Sequence, residues 1–346
     1  MPLVSIIMPI RNEEVFIEKC LSAVTAQDYP ADRIEILVAD GMSEDKTREI
    51  VRLFQGRHSN IQLIDNPKKT AAAGLNAAIR KAKGEVIIRV DGHCEIAPDS
   101  VSQCVRHLRE NDVAGVGGPI ETVGETFVAC AIAIAMSSTF GVGGVVFRTV
   151  SPSPYPLPLG AREKGEGKEV DTIAFPAYKR AAVEKAGEFD EELVRNQDDE
   201  YNYRLRSMGI KLMLFPDIQS RYYSRSSLGS LWRQYFEYGF WKVRVMQKHP
   251  RQMRPRQFVP PLFAAALLAS ILVSRLVPAL KPAFILIVVS YICANLITSL
   301  WVCVKNGWKY FLLLPLAYAT LHVSYGLGFM TGLVKFADQW FDNRRL

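Results

Sequence analysis

The 346-residue sequence holds six cysteines and no C-x-x-C pair. Cys20, Cys94, Cys104, Cys130, Cys293 and Cys303 therefore read as reduced thiols, and neither a disulfide framework nor a cysteine zinc site is expected. No G-x-G-x-x-G follows the first apolar run, where the chain reads Pro9-Ile-Arg-Asn-Glu-Glu14. Neither Gly115-Val-Gly-Gly118 nor Gly141-Val-Gly-Gly144 supplies that spacing, and there is no P-loop. A dinucleotide oxidoreductase is thereby excluded. Met1 to Pro9 shows no basic leader, apolar core and cleavage site, so nothing is expected to send the following domain outside the cell. The basic excess, a formal charge of +7, gathers at one boundary and not along a separate groove, which argues against nucleic acid as a partner.

That boundary is where the composition changes. Up to about Met246 charged and apolar residues mix, whereas residues 258–334 are nearly all apolar, aromatic or small. Stretches 258–280, 283–304 and 310–334 each approach the ~20 residues that cross a bilayer core. Three membrane helices over 258–334 are expected, with a short tail over 335–346. Pro260, Pro261, Pro278 and Arg275 in the first stretch leave two spans and a re-entrant segment as the alternative. Lys242, Arg244, Lys248, Arg251, Arg254 and Arg256 crowd the approach to it. Positive flanks mark the cytoplasmic side of a span, so residues 1–248 are expected in the cytosol. Within them, 228–248 interleaves Trp232, Tyr235, Phe236, Tyr238, Phe240 and Trp241 with Arg233, Lys242 and Arg244. This suits a helix lying in the membrane interface, or else one packed on the soluble domain.

Short apolar runs at 3–8, 34–38, 61–64 and 86–90 alternate with helix-period segments at 13–26, 44–54 and 71–82. Such alternation predicts an α/β domain with a mostly parallel sheet and helices on its faces. Asn12, Ser43 and Pro98 look like helix-start residues. In such sheets ligands bind beyond the carboxyl ends of the strands, which directs attention to Pro9 to Asn12, Asp40 and Asp91. Segment 150–171, rich in proline, glycine and charge, reads as a surface loop, either a substrate lid or a tolerated insertion.

Two clusters carry chemistry. In Arg89-Val-Asp-Gly-His93, an extended chain would turn Asp91 and His93 to the same side, and Gly92 would admit a ligand closely. A carboxylate with an imidazole suits Mn²⁺ better than Mg²⁺, without excluding Mg²⁺. In Asn196-Gln-Asp-Asp-Glu-Tyr201, acids opening a helix complement its dipole, and Asp198 is the candidate general base.

Ser5 to Glu14, Val38 to Thr47, Asn66 with Ala73 to Val86, Asp91-Gly-His93 and Gln197 to Leu205 occur in that order. Together they resemble the family 2 inverting glycosyltransferases of GT-A fold, over about residues 3–245. The resemblance implies that Pro9, Arg11 and Glu13 line a nucleotide pocket, that Asp40 contacts the uracil or ribose, and that Asn66 belongs to the nucleotide-sugar site. Asp91 and His93 would replace the family's D-x-D metal motif, Asp198 would be the base, and Arg204 would be structural. His93 stands where many members have Asp, and Gln197 where Glu is usual before the base. The Q-x-x-R-W motif of processive members is missing around Trp232-Arg-Gln-Tyr-Phe-Glu-Tyr-Gly239, which favours single-sugar addition.

The sequence is most similar to the succinoglycan-type exopolysaccharide glucosyltransferases. The resemblance then implies a multi-pass protein of the bacterial inner membrane in contact with membrane lipid. It would take a UDP-sugar, glucose first among them, to a polyprenyl-diphosphate-linked saccharide, with other polysaccharide-assembly proteins as potential partners. The rival reading is a non-catalytic assembly subunit, which turnover would distinguish.

Overall fold

The structure, a computed structural model, describes residues 1–148 and 166–340. Most of the loop expected over 150–171, and the end of the tail, lie outside the described residues. The described chain divides into two compact units, one of residues 1–121 and 166–222, the other of 122–148 and 223–340. The chain leaves the first unit after 121, has returned to it by 166, and leaves it again after 222, so the 228–248 segment groups with the apolar helices that follow it. The reason is packing: the aromatic helix over 228–248 buries its side against the apolar helices that follow it.

The first unit begins with β1 (Val4–Ile10), α1 (Ile17–Thr25), β2 (Ile34–Asp40), α2 (Thr47–Arg57), β3 (Ile61–Asp65), α3 (Ala71–Lys81) and β4 (Val86–Arg89). It continues with β5 (Cys94–Ile96), α4 (Ser100–Glu110), β6 (Gly115–Gly117) and β7 (Ile120–Val123), whose last two residues enter the second unit. In the second unit follow α5 (Phe127–Met136) and α6 (Thr139–Val142). The chain returns for β8 (Lys168–Glu169), β9 (Ala177–Lys179), α7 (Arg180–Ala186), α8 (Gln197–Ser207), β10 (Leu212–Leu214) and β11 (Ser220–Tyr223).

The main sheet has the order β3-β2-β1-β4-β9-β6-β10-β8. Its first four strands are all parallel, while β9 lies antiparallel between β4 and β6. Val4, Ile6, Met8, Ile36, Val38 and Ile88 pack beneath α1 and α4, where Leu21 and Leu108 also bury themselves. The expected α/β fold with a mostly parallel sheet is what forms.

Strand order also locates a crevice. From β1 the chain builds outward to β2 and β3 on one side, and β4 joins on the other, so the order reverses between β1 and β4, where open α/β sheets bind ligands. β4 pairs with β1 only as far as Ile7 opposite Arg89, whereas β1 runs on beside β2 to Ile10. Pro9, with no N–H to donate, falls where that edge of β1 is already unpaired.

The second unit contains α9 (Leu228–Lys248), α10 (Val259–Leu276), α11 (Lys281–Asn306) and α12 (Leu314–Lys335). Among the described residues, two helices are long and apolar enough to cross a membrane, 255–276 and 278–306. The third expected span, over 310–334, holds α12, which packs against α9. Three glycines let backbones meet closely: a Cβ on Gly328 would stand 2.0 Å from Phe236 O, and one on Gly332 would stand 2.6 Å from Phe240 O. From α9, a Cβ on Gly239 would lie 2.0 Å from Tyr325 O. Thus α9 lies against α12, and Gln247 Nε2 donates to Phe336 O at 2.7 Å.

Candidate functional site

The loops after β1 and β2 are stapled together by residues that looked like helix caps. Asn12 adopts φ 53°, its N–H donates to Ser43 Oγ (2.9 Å) and its Oδ1 accepts from Glu44 N–H (2.9 Å). Glu13 N–H donates to Thr47 Oγ1 at 2.8 Å. Consequently α1 starts at Ile17 and α2 at Thr47, later than the sequence suggests, because short polar side chains can serve a neighbouring loop as readily as a helix end. Met42 (φ 56°) and Lys69 (φ 61°) place further left-handed residues after β2 and β3. Such backbone strain gathers at functional sites.

Asp40 is fully buried. Its carboxylate accepts from Ser43 N–H, from the Ser43 hydroxyl at 2.5 Å and from Arg48 Nη1 at 2.6 Å, while Arg48 Nη2 reaches Asp65 at 2.7 Å. Asn66 holds the turn into α3 by donating from Nδ2 to Thr70 O (2.8 Å). Arg11 is exposed, 4.0 Å from Glu44. Gly41 leaves room for its stem, since a Cβ there would be 3.2 Å from Arg11 Cβ.

Across the crevice sits the Asp91–His93 turn. Cys94 N–H donates to Asp91 O at 3.1 Å, so residues 91–94 form a turn and not the extended chain expected. A single hydrogen-bonded turn can still present both side chains, but their orientation comes from partners instead of strand alternation. Arg89 grips Asp91 with a fork, Nε to Oδ1 at 2.8 Å and Nη2 to Oδ2 at 3.0 Å. His93 Nδ1 lies 2.9 Å from Glu13 Oε1, and the Tyr222 ring meets the imidazole edge-on at 5.0 Å. Gly92 also gives its protein neighbours room: a Cβ there would stand 3.0 Å from both Glu13 Cγ and Ile10 Cγ2.

Arg89 is buried, which opposes its charge, yet the carboxylates of Asp91 and Asp198 hold its proton more tightly than water would. Asp198 thus acts through its charge on the guanidinium that Asp91 binds, although the two acids come from distant parts of the chain. Asp198 opens α8, and its Oδ1 accepts from Asp199 N–H at 2.9 Å. Its neighbour Glu200 is occupied structurally, pairing with Arg204 through two contacts of 2.9 Å. Arg204 Nη1 also donates to Ala186 O (2.5 Å) and Glu188 O (2.9 Å), which matches the structural part expected of it.

The start of α8 is placed by a residue that sequence reasoning passed over. Asn76, fully buried on α3, donates from Nδ2 to Phe189 O (2.9 Å) and Glu191 Oε1 (3.1 Å), and its Oδ1 accepts from Phe189 N–H (2.8 Å). Phe189 in turn stacks on Tyr201 of α8 at 3.9 Å. The signal was there: an amide within the alanine-rich face of α3, just as Arg89 is a lone charge ending an apolar strand.

Among the described residues no three His, Cys, Asp or Glu side chains gather to hold a metal by themselves. The donors present fit an ion whose shell the substrate completes, since Mg²⁺-type sites commonly use one or two carboxylates plus substrate phosphates. Asp91 keeps lone pairs beyond those given to Arg89, and His93 keeps Nε2.

An α/β domain of GT-A type, with carboxylates and an imidazole at its strand-order switch, is the class this architecture defines. The description "Glycosyl transferase family 2" matches residues 5–187, just over half of the chain, and the chain belongs to that family. It is similar over nearly its whole length to the dolichyl N-acetyl-alpha-D-glucosaminyl phosphate 3-beta-D-2,3-diacetamido-2,3-dideoxy-beta-D-glucuronosyltransferase of Methanococcus voltae. Identity is 29% over 343 residues, covering 97% of this chain and 98% of that protein. The Succinoglycan biosynthesis protein ExoA of Rhizobium meliloti (strain 1021) is 29% identical over 246 residues, 70% of each chain. The mannosyltransferase PcManGT from Pyrobaculum calidifontis, solved in complex with GDP-Man and Mn²⁺, shares the fold with a TM-score of 0.57 at 20% identity, covering 95% of this chain and 87% of that one.

Proposed function

We propose that this glycosyltransferase moves one sugar, with inversion, from a UDP-sugar to a saccharide carried on a polyprenyl phosphate or diphosphate, at the cytosolic face of a membrane. The observation that carries the reading is the turn beyond β4, where Arg89 holds Asp91 by two hydrogen bonds and His93 pairs with Glu13, while the charge of Asp198 at the start of α8 acts on the same guanidinium. Glucose is the first donor sugar to try, following the succinoglycan-type likeness. The name of the Methanococcus voltae relative adds an acetamido-glucuronosyl donor and a dolichyl-phosphate sugar as acceptor. A lipid-borne acceptor also explains why two helices suited to a bilayer follow the enzyme domain. The expected bacterial inner membrane becomes a narrower statement than the relatives support, since they come from both bacteria and archaea.

Pro9, Arg11, Asp40 and Asn66 line the strand ends where the nucleotide would rest. Because both Asp40 oxygens already accept hydrogen bonds, Asp40 serves the base or ribose through the loop it shapes together with Ser43 and Arg48. Asp91 and His93 are the residues that would hold a divalent ion, Mn²⁺ or Mg²⁺, and such an ion would neutralise charge on the departing diphosphate. Asp198 takes the proton from the acceptor hydroxyl as its oxygen bonds to the anomeric carbon, and the bond to the diphosphate oxygen breaks to release UDP.

The test is UDP release by the detergent-purified full chain, with Mn²⁺, across UDP-sugars and polyprenyl-linked saccharide acceptors. Asp198→Asn should lower turnover about 10²–10⁴-fold with an unchanged circular dichroism spectrum. Near-normal turnover in a folded Asp198→Asn protein would remove Asp198 from the role of base.

A further inference from the structure

We propose that Glu13 is a metal-positioning residue: it orients His93 as a nitrogen ligand and so tunes the site toward Mn²⁺ over Mg²⁺. The inference rests on the reading of Asp91 and His93 as the metal-holding pair. It departs from the nucleotide contact that the family resemblance suggests for Glu13.

Glu13 is anchored on all sides. Its N–H donates to Thr47 Oγ1 at 2.8 Å, and its C=O accepts from Phe16 N–H (2.9 Å) and Ile17 N–H (2.8 Å). Its Oε1 lies 2.9 Å from His93 Nδ1, with both side chains more than four-fifths buried. A carboxylate can only accept, so Nδ1 carries the proton and Nε2 keeps its lone pair in the neutral ring. The Tyr222 ring edge limits rotation from another direction, and Gly92 supplies the space that lets Glu13 approach. An imidazole held in this way by a carboxylate is the usual support of a metal-ligating histidine, whose loss costs about 10–100-fold in metal affinity. Nitrogen ligation favours Mn²⁺ over Mg²⁺, which prefers oxygen. Two otherwise unrelated features thus have one cause: an imidazole stands where a second carboxylate is common in the family, and a carboxylate from another loop reaches its far nitrogen.

The experiment uses the full chain in detergent and Mn²⁺ alone as probe, with free Mn²⁺ counted by electron paramagnetic resonance and Mg²⁺ followed by competition. Glu13→Ala should weaken Mn²⁺ about 10–100-fold and Mg²⁺ much less, and Glu13→Gln, whose amide oxygen still accepts from Nδ1, should recover part of the loss. His93→Asp should move the preference toward Mg²⁺, and in that background Glu13→Ala should no longer weaken Mn²⁺. Equal losses for both ions, or a Glu13→Ala loss that persists beside His93→Asp, would overturn the proposal by making Glu13 merely structural. Asp91→Ala separates the two readings. If it leaves Mn²⁺ binding unchanged, the metal site itself is misplaced; if it abolishes binding while Glu13→Ala leaves the Mn²⁺/Mg²⁺ ratio unchanged, this proposal alone fails.

Discussion

Asn76→Ala isolates how the approach to α8 is held. The substitution removes three hydrogen bonds and leaves the N–H and C=O of Phe189 without their side-chain partner, at a residue only 5% exposed. A buried polar group stripped of its partner costs about 1–3 kcal/mol, so two cost about 2–6 kcal/mol. That is a large part of the ~5–15 kcal/mol that holds a domain together. Near the middle of the range, the unit carrying the strand-end site should melt about 8–16 °C lower, at ~2–4 °C per kcal/mol for a domain of this size. All five tryptophans lie in the other unit, so tryptophan fluorescence would miss the change. Hydrogen exchange of the amides between α7 and α8, with far-ultraviolet circular dichroism, is the suitable assay. Asn76→Asp sharpens it, because a carboxylate of the same shape can accept from Phe189 N–H but cannot donate to Phe189 O or Glu191. Asp should therefore be at least as harmful as Ala. Wild-type melting in Asn76→Ala, or an Asp variant much milder than Ala, would refute the hydrogen-bond argument and leave side-chain size as the cause.

Arg89→Met should destabilise the first unit by about 3–5 kcal/mol, as loss of one partner of a buried pair does; a denaturant midpoint equal to wild type would contradict the central place given to Arg89. Gly328→Ala should cost about 1–3 kcal/mol by overpacking, since its Cβ would meet Phe236 O at 2.0 Å, and a thermal melt of the second unit followed by tryptophan fluorescence reads it directly. Gly56→Ala is the opposite case, a helical glycine with nothing within 4 Å, and should gain about 0.5–1 kcal/mol.

The alternation of apolar runs and helix-period segments was enough to predict the parallel half of the sheet, because side-chain period is a local property that burial merely enforces. Asp91, His93 and Asp198 were legible as acids and an imidazole at element ends, where the strand-order switch then places the first two. Their partners were not legible. Glu13 reaches His93, Arg89 grips Asp91, and Asn76 holds the approach to α8, each through pairings whose geometry exists only after the chain has folded. Asn12 and Ser43 show the same limit from the other side. Their side chains suit a helix start and a loop staple equally, and only the neighbouring loop decides between them. For α12, composition suggested a third membrane span, but not that three glycines would bring its backbone close against α9. Period and residue type, which act within a few neighbours, were determined by the sequence alone; which donor meets which acceptor, and which apolar face finds another, was decided only by the tertiary structure, because those contacts join residues that the chain brings together last.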